Sequence, residues 1–494
     1  MKKYKRVLIF CLISFVLFII LLNIYPVPNF TEDSRMYIYG AADENSVISY
    51  RPLGYSVFLK AVHNYNSSIS AVVFAQYFLY LASTLFFLFT ILKVIDLKPL
   101  YKNILFFFTL VNPPMLFLAN SIMSDCLFIS LTLIWIALLI RILLYYRWMD
   151  IALMLLTLWC SFPVRYSVLV YPVLAITVIL LYLPDKLKKF STIACILLLS
   201  AIFYQHTKNL VTDATGVSTF SGFGGWQLAN NAMSVYERTP GARVDTDDPD
   251  IRLLDSLASK YADSVRKVNP NYHGVWKDDY MWLDASPFVV FKRWYLARNP
   301  GVDEFSAWTA ESVILNKYGW DIIKQYPIRY SRYFVLSNAA ASFIPEMNGL
   351  SAYTTPAIYQ IPIVQQWYGL PERISNDANA LLPRYLNEPF RDVYSLFSVA
   401  FVVTMLFYLM NPRKFILSAV HRKIIFSIAI FWLFLAGFNI LVAPVHYRFI
   451  AMLFPIILCG ILAVWGNYRK EGLRGNPGTA PTSKKYAADE TART

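Results

Sequence analysis

"VLIFCLISFVLFIILLNI" occupies residues 7–24 and holds no charged side chain. At 1.5 Å per residue such a run reaches across most of a hydrocarbon core about 30 Å thick, so it reads as a membrane-crossing helix. Lys2, Lys3, Lys5 and Arg6 precede it, the pattern of a signal peptide. The run is longer than the usual ~7–15 residues and lacks a small-x-small cleavage site, so an uncleaved first span is expected.

The rest of the chain repeats this character. Of 494 residues, 57% are hydrophobic and 15% charged, and the mean hydropathy is +0.45. A soluble core cannot bury that much apolar surface. The sequence predicts a polytopic α-helical membrane protein with about ten spans, near 7–24, 70–92, 103–120, 122–144, 151–164, 167–183, 190–205, 391–411, 424–442 and 448–466. The segment 151–164 is short enough for two half-helices or a re-entrant turn. Alternating the spans places "MKKYKR", "KVIDLKPLYK", "RILLYYRWMD", "PDKLKK", "NPRKFILSAVHRK" and "NYRKEGLRGNPG" on one side. All six are basic, which predicts that this side is cytoplasmic, with both termini there. The net charge of +14 is thereby accounted for by membrane anchoring, without a nucleic-acid partner.

Four regions follow: an N-terminal membrane module (1–205), a large external, mostly helical block (206–390), C-terminal membrane helices (391–470) and a disordered cytoplasmic tail (471–494). No internal repeat appears. Cys11, Cys126, Cys160, Cys195 and Cys459 all lie in or beside apolar runs, so the block has no disulfide framework. Within it, 247–268 reads as an amphipathic helix with Ile251, Leu254, Leu257 and Tyr261 on one face. The stretch 326–344 has the apolar surface of a segment lying on the membrane. Seven tryptophans (Trp226, Trp276, Trp282, Trp294, Trp308, Trp320 and Trp367) suit either a carbohydrate platform or an interfacial belt with a small core. "DTDDPD" at 245–250 lacks the glycine and later glutamate of a calcium loop and reads as a solvated turn before the helix.

Just beyond the first span, "TEDSRMYIYGAADENSVISYRPLGYSVFL" (31–59) crowds Glu32, Asp33, Asp43 and Glu44 at the membrane exit. Any of them suits a solvated loop. Asp33 differs because Tyr37 and Ala41 follow at i+4 and i+8 on its helical face, and Arg51-Pro52-Leu53-Gly54-Tyr55 then turns the chain toward span two.

An acid in Asp-x-x-x-Tyr-x-x-x-Ala form followed by Arg-Pro-x-Gly-Tyr resembles the first external loop of the GT-C superfamily of integral-membrane glycosyltransferases. The likeness is to the branch of protein O-mannosyltransferases and the lipid A aminoarabinose transferase. "NSIMSDCLF" (120–128), "FPVRYS" (162–167) and "HYRFIAMLFPIIL" (446–458) extend it. Leu53 stands where that family's second proline is usual, and Asp125 where glutamate is commoner. The resemblance implies a GT-C-like fold in a cell (inner) membrane. It also implies inverting transfer of a sugar from a polyprenyl-phosphate donor to an acceptor glycan, lipid or protein on the extracytoplasmic face.

The residue chemistry supplies matching parts. Asp33 suits a general base for the acceptor hydroxyl. Asp125 suits a second acid that positions the acceptor or a divalent cation, or else is a carboxylate favoured at a helix N-terminus. Arg165 and Arg448, at span ends among aromatics, suit a donor-phosphate clamp, with snorkelling to headgroups as the competing reading. Arg51 is a third phosphate candidate or a brace for the loop carboxylates. Tyr37, Tyr55, His446 and Tyr447 are candidates for the substrate pocket. Two other readings compete with the transferase: a polysaccharide ligase or polymerase using Arg and His of the late external loop, and a non-enzymatic lipid-linked-sugar translocator or transporter. The latter calls for charge near the bilayer midplane, whereas these charges sit at span ends.

Overall fold

The computed structural model describes residues 2–43, 49–268, 279–347, 349–351, 353, 362–370 and 381–468. Glu44, Trp276 and the tail 471–494 lie outside them. The described chain is helical, with isolated bridges in place of strands. In chain order its helices are α1 (Lys2–Ile24), α2 (Glu32–Ala42), α3 (Gly54–Tyr65), α4 (Ile69–Leu92), α5 (Pro99–Leu110), α6 (Pro113–Ala119), α7 (Ser124–Tyr145), α8 (Trp148–Ser161), α9 (Tyr171–Tyr182) and α10 (Lys186–Thr215). There follow α11 (Gly224–Ala232), α12 (Ser234–Arg238), α13 (Pro249–Val268), α14 (Asp279–Trp282), α15 (Pro287–Arg298), α16 (Glu304–Gln325), α17 (Pro327–Tyr330) and α18 (Leu336–Ala341). The last are α19 (Pro362–Tyr368), α20 (Leu382–Met410), α21 (Ala419–Val442), α22 (Tyr447–Ile450) and α23 (Leu453–Trp465).

This is an α-helical membrane protein. Seven helical stretches are long and apolar enough to cross a bilayer: α1, α4, α5 with α6, α7, α10, α20 and α21. Three shorter apolar helices, at 148–161, 166–182 and 453–465, coincide with the remaining expected segments. The first of these is one continuous helix, not two halves. The bend between α5 and α6 has a local cause. Pro113 and Pro114 lack N–H donors, so the ladder stops, and the Asn112 side chain caps the new helix by accepting from Met115 N at 3.3 Å. α10 runs ten residues beyond its expected end at 205, and α20 begins before its expected start at 391.

Several loops with basic residues converge. Ile416 N donates to Asn467 O at 3.0 Å, Leu97 packs on Gly466, and Lys188 lies over the Trp148 ring. The opposite helix ends gather the segments considered below.

Two hydrophobic cores form. The larger joins the apolar helices to Ala341, Met347, Leu350, Tyr353, Val364 and Tyr368. The smaller is built by α11–α17 and the turn after it, with Trp226 and Trp308 stacked at 3.7 Å in its centre. Those two indoles are core, as the plainer reading of the tryptophans has it. α13 forms as expected, burying Ile251 and Leu254, with Leu257 and Tyr261 partly buried against the same core. Asp248 precedes it and accepts from Asp250 N and Ile251 N, so the acidic run serves as a helix cap.

Candidate functional site

α2 begins where the chain leaves α1. Thr31 N donates to Ser34 Oγ at 2.8 Å, and Ser34 Oγ donates to Ile122 O at 2.7 Å, pinning the first turn of α2 to the entry of α7. Asn29 reinforces this by exchanging backbone bonds with Asn120 O (2.8 Å) and Ile122 N (3.0 Å). Asp33 and Asp125 are thereby brought to one end of the bundle.

Gly54 joins the next segment. Its N–H donates to Pro163 O at 2.6 Å, and a Cβ there would stand 2.5 Å from the Pro163 carbonyl carbon. Only glycine permits that approach, which sets Arg51 and Arg165 close together. Arg448 arrives on α22, whose first residue, Tyr447, donates its N–H to Glu346 O at 2.9 Å.

The result is one charge cluster assembled from four distant stretches. Arg51 donates to Asp33 at 2.6 Å and Arg165 donates to Asp125 at 2.8 Å. Arg448 lies between the pairs, 3.9 Å from Asp33 and 3.8 Å from Asp125, outside hydrogen-bond range of both. Aromatic rings hold the guanidiniums: Arg165 over Phe128 (5.4 Å) and Phe449 (5.0 Å), Arg448 over Phe449 (4.8 Å), and Arg51 over Phe223 (5.0 Å).

Exposure divides the roles. The Asp33 side chain and the three arginines are each between 20% and 25% exposed, whereas Asp125 is 2% exposed. Both Asp125 oxygens face guanidiniums: Oδ1 accepts from Arg165, and Oδ2 lies 3.8 Å from Arg448. Among the described residues no three His, Cys, Asp or Glu side chains converge as metal ligands.

Burial alone would raise the Asp33 carboxyl. The charge of Arg51, then that of Arg448, the Arg51 hydrogen bond and the charge of Arg165 outweigh it and hold Asp33 below the usual carboxylate range. His446 behaves oppositely: burial, helped by the Arg448 charge, pushes it down to about 4, so at neutral pH it is an uncharged ring.

Tyr37, Tyr55 and Tyr447 are buried. Tyr37 shares a hydrogen bond with Ser124 at 3.0 Å, and Tyr55 donates to Gln76 at 2.8 Å. Gln76 in turn donates to Ala119 O and Ser121 O, each at 3.0 Å. The Tyr447 ring meets those of Phe390 and Tyr394 edge-on. Gln76, Ser124, Phe223 and Phe449 carry no sequence signal of their own; an apolar span with one amide, such as α4 with Gln76, is the nearest to one.

Fold and site together define an α-helical membrane protein with a carboxylate–arginine cluster at one end of its helices. Comparison with protein-family models, curated proteins and solved structures returns no match.

Proposed function

We propose that this protein is a cell-membrane glycosyltransferase that moves a sugar from a polyprenyl-phosphate donor to an acceptor hydroxyl. In this reading it has ten spans, both termini are cytoplasmic, and the cluster faces the extracytoplasmic side. The observation that carries it is Arg448, poised between Asp33 and Asp125 without a hydrogen bond to either. A sugar phosphodiester carries one negative charge, and a guanidinium that hydrogen-bonds neither carboxylate can meet it with its N–H donors.

The acceptor oxygen attacks the anomeric carbon from the face opposite the phosphate, forming the new glycosidic bond and inverting the centre. The carbon–oxygen bond to the phosphate breaks, and its electron pair passes to the phosphate oxygen. Arg448 and Arg165 stabilise the charge that develops there. Asp33 takes the acceptor proton. A carboxylate held down by arginines is a weak base, but the phosphate draws Arg448 away from it. Donor binding thus raises the basicity of Asp33 where it is needed.

Turnover per folded protein with polyprenyl-phosphate sugars tests this in Arg448→Ala and Arg448→Lys. A charge-assisted hydrogen bond is worth about 1.5–3 kcal/mol, so Ala should lose on the order of ten- to a hundredfold and Lys should recover part. Wild-type turnover in both variants, or neither transfer nor donor hydrolysis by the wild-type protein, would sink the proposal.

A further inference from the structure

α17 leads into a wide π-helical turn (Ser331–Val335) and then α18. A hollow of about 510 Å³ opens here, lined by Arg238, Thr239, Pro240, Ile328, Arg329, Arg332 and Tyr333. It contains three arginines and no carboxylate. Arg238 lies 5.3 Å and Arg332 5.8 Å from the Tyr333 ring, and Arg329 5.9 Å from that of Tyr326. Among the described residues none of the three is in an ion pair, and the buried Nε of Arg238 has no hydrogen-bond acceptor. Three like charges converge only at an energetic cost, which an anion between them removes. Guanidinium forks match a phosphate best.

The surroundings indicate where that phosphate comes from. A second hollow, walled by Pro327, Ile328, Ser331, Arg332 and Leu336, adjoins the first. Ile328 is 81% exposed and Leu336 64% exposed. Asn338 fixes the level of the segment: its amide donates to Ile440 O at 3.0 Å and Ala443 O at 2.8 Å, at the end of the membrane-crossing α21. Apolar side chains beside an arginine cluster at the height where a span ends are the composition of a headgroup site.

We propose that Arg238, Arg329 and Arg332 bind the phosphate of an anionic membrane lipid, whose acyl chain lies along Ile328 and Leu336. This site is separate from the Asp33 cluster and does not rest on the glycosyl-transfer reading. A choline headgroup would bring its own cation against the arginines, so a net anionic lipid is selected.

The full-length protein in detergent is titrated with phosphatidylglycerol or phosphatidylcholine and read by native mass spectrometry. The wild-type protein should retain one more phosphatidylglycerol than the Arg329→Gln/Arg332→Gln double variant, whose apparent affinity falls about tenfold. Phosphatidylcholine retention should be the same for both. The two arginines are exposed, so the double variant should melt at the wild-type temperature. Ile328→Ser should also weaken phosphatidylglycerol binding. Equal phosphatidylglycerol retention by wild-type and double variant would overturn the proposal. So would displacement of the lipid by millimolar inorganic phosphate, which would assign the hollow to a free anion.

Discussion

In the proposed reaction Asp33 and the donor's phosphate compete for Arg448, and that competition makes separable predictions. Asp33→Asn keeps the side-chain shape but cannot take a proton at neutral pH, so transfer should fall at least a hundredfold. Binding of the polyprenyl-phosphate donor should tighten in that variant, because the amide no longer attracts Arg448. Full transfer by Asp33→Asn would place the base elsewhere; weakened donor binding would show that Asp33 helps to hold the donor. A second carboxyl, Glu311 in α16, is fully buried, and neither oxygen has a hydrogen-bond partner. Burial pushes it up to about 9, although Lys292 pulls the other way. The unfolded chain releases this proton near pH 4.5 and the folded chain holds it, so stability declines as pH rises from 4.5 toward 9. At pH 7 the penalty is on the order of 3 kcal/mol. Glu311→Gln should therefore raise the melting temperature at pH 7 and change it little at pH 4; an equal effect at both would refute this. Asp33 stood out in the sequence because a helical face and a turn motif surrounded it. Glu311 did not, since its burial depends on how α11, α15 and α16 pack.

At the scale of elements, the contact between Gly54 and Pro163 joins the start of α3 to the turn after α8. Gly54→Ala would press a methyl group into backbone that has no room for it. Overpacking of this kind costs about 1–3 kcal/mol. The variant should melt several degrees lower and lose transfer more than tenfold, because Arg51 and Arg165 are pushed apart. An unchanged melting temperature would mean that the turn yields. The apolar runs made the long helices legible. The extra turns of α10 were not legible. Beyond 205 its sequence turns polar, and the helix continues to an αL cap at Gly216, whose φ is +70°. The helical face of Asp33, Tyr37 and Ala41 and the helix over 247–268 were readable because local spacing dictates them. Register between distant segments, such as Asn29 against Asn120, has no such local code.

For the molecule as a whole, the expected topology puts Asp245 and Arg413 on opposite sides of the membrane. In a cysteine-free background, Asp245→Cys should react with an impermeant maleimide in intact cells, and Arg413→Cys only after permeabilisation. The reverse pattern would invert the protein. That expectation rests on the alternating basic loops, whereas the division of the described part of 206–390 between two cores had no signal in the sequence. Between 224 and 335, Trp226, Tyr236, Phe288, Trp308 and Tyr318 pack in the smaller core, while between 341 and 368, Met347, Leu350, Tyr353, Val364 and Tyr368 pack against the membrane helices. Both stretches mix apolar and polar residues, and only tertiary contact separates them. The place of Arg448, 3.9 Å from Asp33 and 3.8 Å from Asp125, bears finally on kinetics. In the proposed reaction the donor enters as a phosphodiester with one negative charge and departs as a phosphomonoester approaching two. A pocket matched to the first binds the second more strongly. The spent lipid phosphate should then inhibit transfer by competing with fresh donor, and added salt should weaken that inhibition.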